Sequence, residues 1–313
     1  MIKEVAIDPE VMATWQHFRE LWADLGVTQG RLVAEYPPGW RDIVCEKAYK
    51  VSSAKAASIA ARLKPLPGNG GAKRWVATNR GFDRGKDWLT NAEKHDVPGG
   101  FAAIVAKKNP RAKRCVLTAG EFDPEVTPWS TASQLEVTRD TTKLLECSEF
   151  LLRVSHELVL VEPNFDVTEG RFRDPLEALV NCRAKGQSWS RLELHVRFPT
   201  DKQGNYVPSA LPSQMGNARH FLAPLIPVGN TLHLFFWQRK VDGKRIHARY
   251  IMTELGGLQP DHGLDEGDAL GDTTIVSLLA EDVWTTVRGD YCAASQTYKG
   301  EPGWQTDIAG QKP

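Results

Sequence analysis

The strongest constraint on the fold is an almost uninterrupted apolar run, ELVLVE, at residues 157–162. A strand that is apolar on both faces must be covered on both, as parallel strands are in α/β sheets. A helical pattern at 133–154 precedes this run, and an alternating strand, RLELHVRF, follows at 191–198. From residue 131 onward the predicted order is α-β-α-β-α-β-β-α. This order predicts an α/β domain in which a mixed sheet is flanked by helices.

The last two strands of this domain are predicted to form a hairpin. An aromatic-rich run at 231–239 is followed by the turn pair Asp242-Gly243 and by a second strand at 245–253. The tail from Ala293 has no regular pattern. Further helices are predicted at 175–184, 214–223 and 282–288.

The first part of the chain has a different pattern, and we predict a separate region at 1–125 joined to a domain at 126–313. One helix is predicted from Asp8-Pro9, which provide an N-cap and a first-turn proline, and another from about Pro38 to Leu63. Residues 72–110 are basic, rich in glycine and poorly periodic. The prediction for 1–125 is therefore a helical, loop-rich region.

Charge is distributed unevenly, although the chain has 39 Lys and Arg against 39 Asp and Glu. Residues 44–114 contain 16 cations and 5 acids, whereas residues 254–290 contain one cation and 9 acids. Cations interleaved with aromatic residues suit the backbone and bases of DNA or RNA. The alternative is a set of solubilising charges on surface loops. The predicted nucleic-acid-binding residues are Lys73, Arg74, Arg80, Arg84, Lys107, Lys108, Arg111, Lys113 and Arg114.

Other features narrow the class of protein. Five scattered cysteines without a CxxC pair favour reduced thiols in a cytoplasmic protein and argue against a cysteine-rich zinc site. No apolar run approaches the roughly 18 residues of a membrane span, and the first residues, MIKEVAIDPE, do not resemble a signal peptide. P-loop, HExxH and GxSxG motifs do not occur in the sequence. We expect no metal and no cofactor.

A histidine and an arginine in the stretch HARYIMTE form the main candidate for chemistry. His247 and Arg249 are two residues apart, so in a strand they point to the same face, and Glu254 follows five positions later. An imidazole can attack phosphorus or deliver a proton, and a guanidinium can hold phosphate oxygens. The alternative is an ordinary solvated or salt-bridged pair on a sheet face.

This stretch resembles the His-x-Lys-x4-Asp motif of the phospholipase D superfamily. The spacing is the same, with Arg249 in place of lysine and Glu254 in place of aspartate. The runs ELVLVEPNFD and LHLFFWQRKVDGKRIHARYIMTE also resemble the early strand and the motif strand of that superfamily. His262-Gly-Leu-Asp265 is similar to a segment in the C-terminal domain of MIT-domain proteins, which has the same fold. The resemblance covers about 131–290 and implies a phospholipase-D-like domain.

The resemblance also implies roles for the three residues. His247 would be the nucleophile or the acid, Arg249 would bind phosphate, and Glu254 would orient the histidine. A single motif implies a homodimer that pairs two histidines. The nearest second copy of the motif is His195-Val-Arg197, but Asp201 is one residue short of the motif spacing. The alternative explanation for these residues is that they form the exposed face of an alternating strand.

Two acids offer a second candidate site. Glu162 and Asp166 flank the end of the 157–162 strand, where open α/β sheets bind ligands. Helix capping and turn formation are the alternative explanation.

The sequence thus leads to three hypotheses. The first is a phosphodiesterase, specifically a metal-independent nuclease that works as a homodimer. The second is a non-catalytic phospholipase-D-like module that binds nucleic acid or a protein partner, because the Gly-Ser-x-Asn of the superfamily is replaced by Asp261-His-Gly-Leu264. The third is an accessory subunit of a bacterial defence assembly, with other protein subunits as partners.

Overall fold

The computed structural model describes residues 1–64, 73–121, 128–183, 187–240, 242–243, 246–291, 297–300 and 303–312. The chain folds into two compact units, Met1–Ser133 and Gln134–Pro313. Both are built from strands and helices, so the predicted α/β class with a mixed sheet flanked by helices is confirmed. Among the described residues, no helix has the length and apolar character needed to cross a membrane.

The first unit contains a five-stranded parallel sheet in the order β3-β2-β1-β4-β5. The expectation of a helical, loop-rich region omitted this sheet, because strands of two to five residues are too short to show a period. Its strands are β1 (Lys3–Ile7), β2 (Arg31–Ala34), β3 (Trp75–Val76), β4 (Ala103–Ala106) and β5 (Val116–Thr118). Its helices are α1 (Pro9–Met12), α2 (Trp15–Ala23), α3 (Trp40–Val51), α4 (Ser53–Leu63) and α5 (Trp88–Glu93).

A buried tryptophan holds α3 against the sheet of this unit. Trp40, at the start of α3, is fully buried, and its indole Nε1 donates to the carbonyl of Ile7 at 2.7 Å. Asp8 caps α1 as the sequence predicted, with its carboxylate accepting from the amide of Glu10 at 2.8 Å. This arrangement fixes the loop that follows β1.

The second unit contains an eight-stranded mixed sheet in the order β13-β9-β8-β7-β10-β11-β12-β6. β7, β8 and β9 are parallel, and the other neighbours pair antiparallel. The strands are β6 (Gln134–Thr138), β7 (Glu157–Val161), β8 (Arg191–Arg197), β9 (Thr231–Trp237), β10 (Tyr250–Met252), β11 (Gly257–Pro260), β12 (Thr273–Leu278) and β13 (Gln305–Ala309). The helices are α6 (Thr141–Val154), α7 (Gly170–Asn181), α8 (Leu211–Leu222) and α9 (Glu281–Asp290).

Two predicted segments differ from the observed elements. The helix expected at 133–154 begins only at Thr141, after the edge strand β6, because Asp140 accepts from the amide of Lys143 and so starts the helix there. The tail from Ala293, expected to be irregular, contains β13, which pairs with β9. Both segments are strands because they pair with neighbouring strands of the sheet, and their own sequences are too short to show the period of a strand.

The predicted hairpin of β9 and β10 is wrong. β8 and β7 lie between these strands in the sheet, and β10 pairs antiparallel with β7. The connection from β9 therefore crosses the carboxyl ends of β8 and β7 before β10 begins. Asp242 and Gly243 lie in this connection, and Arg245, the first residue of the predicted strand, lies outside the described residues. This crossing determines where His247 and Arg249 are placed.

A line of polar groups runs through the buried face of β8. The guanidinium of Arg191 donates two hydrogen bonds to Glu193, at 2.7 and 2.8 Å. His195 is fully buried, with its Nε2 3.0 Å from Glu193 and its Nδ1 accepting from the indole of Trp237 at 2.8 Å. His195 therefore lies in the core rather than on the exposed strand face that the sequence suggested. These bonds make it a structural residue.

The cysteines of the described residues are free thiols: Cys45, Cys115, Cys147 and Cys182. Burial raises the pKa of Cys115 to about 11 and that of Cys182 to about 12. Both thiols are therefore protonated at neutral pH. Cys292 lies outside the described residues.

Candidate functional site

His247 and Arg249 lie at the carboxyl edge of the parallel strands. Both precede β10, which runs antiparallel to β7, so they lie beside the end of β7. His247 is exposed, whereas the side chain of Arg249 is only 17% exposed. The Nε of Arg249 is 3.7 Å from Oε1 of Glu162, which is an ion-pair distance rather than a hydrogen bond. His247 is thus open to solvent and to a ligand, whereas Arg249 lies against the carboxylate of Glu162.

Glu162 forms the buried centre of this edge. Its carboxylate accepts from the amides of Asn164 at 3.0 Å and Leu264 at 2.9 Å, and it is 1% exposed. Burial raises its pKa, although the two amides and Arg249 act in the opposite direction. Asp166 accepts from the amide and hydroxyl of Thr168. Both acids therefore form turns, which was the alternative to a ligand site.

Glu254 lies at the opposite end of β7. Its two oxygens accept from the amides of His156 at 2.8 Å and Glu157 at 3.0 Å. Because β10 runs antiparallel to β7, residues before and after it lie at opposite sheet edges. Seven residues of extended chain span roughly 20 Å. The expected role of Glu254 in orienting His247 does not fit this placement.

A loop closes over Glu162 from β11. Asp265, in this loop, pairs with Arg139 at 2.9 Å and Arg171 at 3.5 Å. Gly263 has φ +132°, and an added Cβ would lie 2.5 Å from Asp265 Oδ1 and 3.0 Å from Glu162 Oε2. A glycine is therefore required where the two carboxylates approach the backbone.

A polar cleft of about 360 Å³ opens where β7 and β8 end. The Nη2 of Arg197, an exposed residue, donates to Oδ1 of Asn164 at 2.5 Å inside this cleft. Arg197 also shares a smaller cavity with Ile246, which is next to His247. Amide and hydroxyl side chains also line the cleft, contributed by Thr168, Thr200, Gln214 and Asn217, and so does the carboxylate of Asp166, which accepts from Thr168. The cleft can thus offer one guanidinium and several neutral hydrogen-bonding groups to a ligand, with one carboxylate beside them.

Neighbouring acids balance part of the positive charge of the predicted basic residues in the first unit. Four of the nine predicted cations form ion pairs with acids among the described residues: Arg80 with Glu4, Lys107 with Glu10, Arg111 with Glu93, and Lys113 with Asp96. Arg74 donates to the carbonyl of Trp22 and stacks on its ring. The exposed members of the set are Lys73, Arg84, Lys108 and Arg114, together with the paired Lys107 and Arg111. The strong net charge of this segment is thus partly balanced in the folded unit.

Comparison with known proteins gives a weak structural match and no family. No family model matches the chain, and no curated protein matches it. Among solved structures, the archaeal chromatin protein TrmBL2, which binds DNA, matches with a TM-score of 0.26 and 9% identity. The match spans 56% of this chain and 56% of that chain, just over half of its length. Within the described residues, no group of three or more His, Cys, Asp or Glu is arranged to hold a metal ion.

Proposed function

We propose that the Gln134–Pro313 unit is a non-catalytic phospholipase-D-like module that binds single-stranded DNA or RNA at the carboxyl edge of its sheet. One observation carries the proposal. Arg197 lines the polar cleft at the carboxyl edge and the exposed His247 precedes β10 at the same edge, whereas Glu254 is bound by backbone amides at the other edge. The carboxyl edge therefore has a cation that can bind an anion, and it lacks the acid that would orient the imidazole.

Arg197 is the group best prepared to receive a phosphate. A guanidinium has five N–H donors, and Asn164 uses one of them, so the remaining donors can reach phosphate oxygens in pairs. The bond to Asn164 also fixes the plane of the guanidinium. Arg249 is less suitable, because the buried carboxylate of Glu162 lies against it.

The neutral groups of the cleft suit the rest of a nucleotide. Gln214 and Asn217 are one turn apart on α8 and are both exposed. Amide side chains donate to and accept from base edges and sugar hydroxyls. A base splayed from a single strand can reach such groups, whereas a base inside a duplex cannot.

Arg197→Ala is expected to weaken the binding of a single-stranded oligonucleotide by roughly tenfold, since it removes a charge-assisted phosphate contact. The slope of log K against log salt should become shallower by about 0.7, the value for one phosphate on a single strand. Fluorescence anisotropy over a salt series measures both quantities.

Arg153→Ala is the matched control. Arg153 lies on α6, is exposed and pairs with Glu149, away from the cleft. It should leave the affinity and the salt slope nearly unchanged. Equal losses in the two variants, or no loss with Arg197→Ala, would contradict binding at this edge.

A phosphodiesterase acting as a homodimer is the second candidate, favoured by the exposure of His247 two residues before Arg249. It requires the second imidazole to come from a second copy of the chain. His247→Ala should then abolish cleavage of DNA or RNA in EDTA while leaving binding intact, as followed by gel electrophoresis of labelled oligonucleotides. Cleavage that persists in this variant excludes His247 as the catalytic group, and a wild-type protein that binds without cleaving supports the binding module.

A further inference from the structure

In the sheet of the Met1–Ser133 unit, the order in which the chain adds strands reverses beside β1. The chain adds β2 and β3 on one side of β1, and then β4 and β5 on the other side. All of these strands are parallel, so the loops after β1 and β4 leave the same edge in opposite directions. Open α/β sheets bind ligands in the crevice that this reversal creates.

A cleft of about 570 Å³ occupies this position. Residues after β1 and after β4 line it, including Glu10 on one side and Lys107 and Lys108 on the other. α3 contributes Lys47 and Ile43, and the segment around α5 contributes aromatic side chains. Asp8 and Asp87 also line the cleft. The cleft therefore has a charged end at the sheet, where lysines and acids lie together, and a largely apolar wall.

The charged end contains ammonium groups held in place by one acid. The carboxylate of Glu10 is 2.8 Å from Nζ of Lys47 and 2.6 Å from Nζ of Lys107. The hydrogen bonds from Lys107 and Lys47 lower the pKa of Glu10 to about 2, so it is ionised at neutral pH. An ammonium has three donors, so each of these lysines keeps two for a ligand. Lys108 is exposed beside them.

The apolar wall suits a planar ring. Phe82 and Trp88 are both partly exposed and line the cleft with Leu89. The indole Nε1 of Trp88 donates to the carbonyl of Tyr36 at 3.0 Å, which holds the ring in one orientation. A nucleobase can pack on such a ring whatever its sequence identity, because every base has a π-face.

The loop after β1 differs from that of a dinucleotide site. It lacks a glycine-rich turn, α1 has only four residues, and the carboxylate of Asp8 accepts from the amide of Glu10. The amide that would receive a pyrophosphate is therefore already bonded to an acid. A phosphate in this cleft has to be bound by the lysines.

We propose that this cleft binds a mononucleotide, with its base against Phe82 and Trp88 and its phosphate at Lys107 and Lys108. The ligand class follows from the combination of a planar apolar wall with lysine donors at a switch point of the sheet. This site is separate from the carboxyl edge of the Gln134–Pro313 unit and does not depend on the function proposed there.

Isothermal titration calorimetry of the full chain with the four 5′-ribonucleoside monophosphates tests the proposal. At least one should bind saturably, and more tightly than inorganic phosphate or its own nucleoside alone. Lys108→Gln should weaken that binding by roughly fivefold or more, since the loss of one charge-assisted contact is of this order. Lys108 is exposed, so this variant is expected to fold.

Two controls separate this site from other cationic surfaces. Lys50→Gln removes an exposed lysine of α3 that pairs with Glu46 outside the cleft, and it should leave the affinity unchanged. Arg153→Ala removes an exposed arginine of α6 that pairs with Glu149 and does not line the cleft, and it should also leave the affinity unchanged. The proposal is overturned if none of the four nucleotides binds at about 5 mM, if phosphate competes as well as the nucleotide, or if Lys50→Gln weakens binding as much as Lys108→Gln.

Discussion

Replacing His195 by phenylalanine is expected to lower the free energy of unfolding of the Gln134–Pro313 unit by about 3 kcal/mol. The phenyl ring can keep the stacking on Phe235, whose ring centroid is 4.8 Å away at an interplanar angle of 7°. It removes the acceptor of the Trp237 indole and one partner of the Glu193 carboxylate. A buried donor then has no partner, and a largely buried acid depends on Arg191 alone.

His233→Phe is the matched control for this prediction. His233 is in the neighbouring strand β9 and also faces an acid, Asp307 at 2.8 Å, but the two side chains are 42% and 69% exposed. Exposed pairs contribute little, so a change of less than about 1 kcal/mol is expected. Urea denaturation followed by circular dichroism measures both variants. Similar losses for the two would contradict the structural role of the buried line in β8.

The free energy of unfolding also depends on pH through His195, and the sign of this dependence follows from the pKa of its imidazole. Burial lowers the pKa of His195, so the folded unit keeps it neutral while the unfolded chain takes up a proton near its ordinary pKa of 6.5. The unfolded state then binds more protons, and stability falls as the pH is lowered below about 6.5. Glu193, whose pKa is lowered to about 2 by its bonds to His195 and Arg191 despite burial, adds a loss of the same sign at lower pH. Between pH 7 and about pH 5, His195→Phe should show a flatter dependence than the wild type.

Gly263→Ala is expected to destabilise the same unit by about 3 kcal/mol. The positive φ of +132° is unfavourable for alanine, and its Cβ would lie 2.5 Å from Oδ1 of Asp265. That oxygen cannot move freely, because Arg139 pairs with it at 2.9 Å. Glu162, 3.0 Å from the same Cβ, is held by the amide of Leu264. Strain in the backbone and loss of the ion pair therefore add together.

Gly289→Ala is the control for Gly263→Ala. Gly289 lies inside α9, and an added Cβ meets no atom within 4 Å. Alanine is the better helix former, so a gain of about 0.5 to 1 kcal/mol is expected. Thermal and urea denaturation measure both variants. A Gly263→Ala protein as stable as the wild type would show that the loop over Glu162 does not have the observed conformation.

The fold of the second unit follows from sequence where a strand is long and apolar. β7 reads as a buried parallel strand because ELVLV is apolar on both faces, and β8 follows it with clear alternation. The sheet of the first unit is less visible, since β3 has two residues and β5 three. The order of these strands depends on pairing between distant segments, and local periodicity does not encode it.

The candidate site could be predicted only in part for the same reason. The spacing of His247 and Arg249 predicted two side chains on one face of a strand, but β10 begins only at Tyr250, so neither residue lies in the strand that this prediction required. The role of Glu254 could not be judged without the register of β10 on β7, which puts it beside His156. Arg197 gains its position from β8 lying next to β7, which is a tertiary pairing.

Hydrogen–deuterium exchange of the full chain with and without a single-stranded oligonucleotide tests the central claim most directly. Binding at the carboxyl edge of the larger sheet predicts slower exchange in the segments around Asn164, Arg197 and His247, all of which lie at that edge. The segment around Glu254, at the opposite edge, should exchange at the same rate in both states. Protection confined to the basic residues 73–114, with none at the three edge segments, would contradict the account.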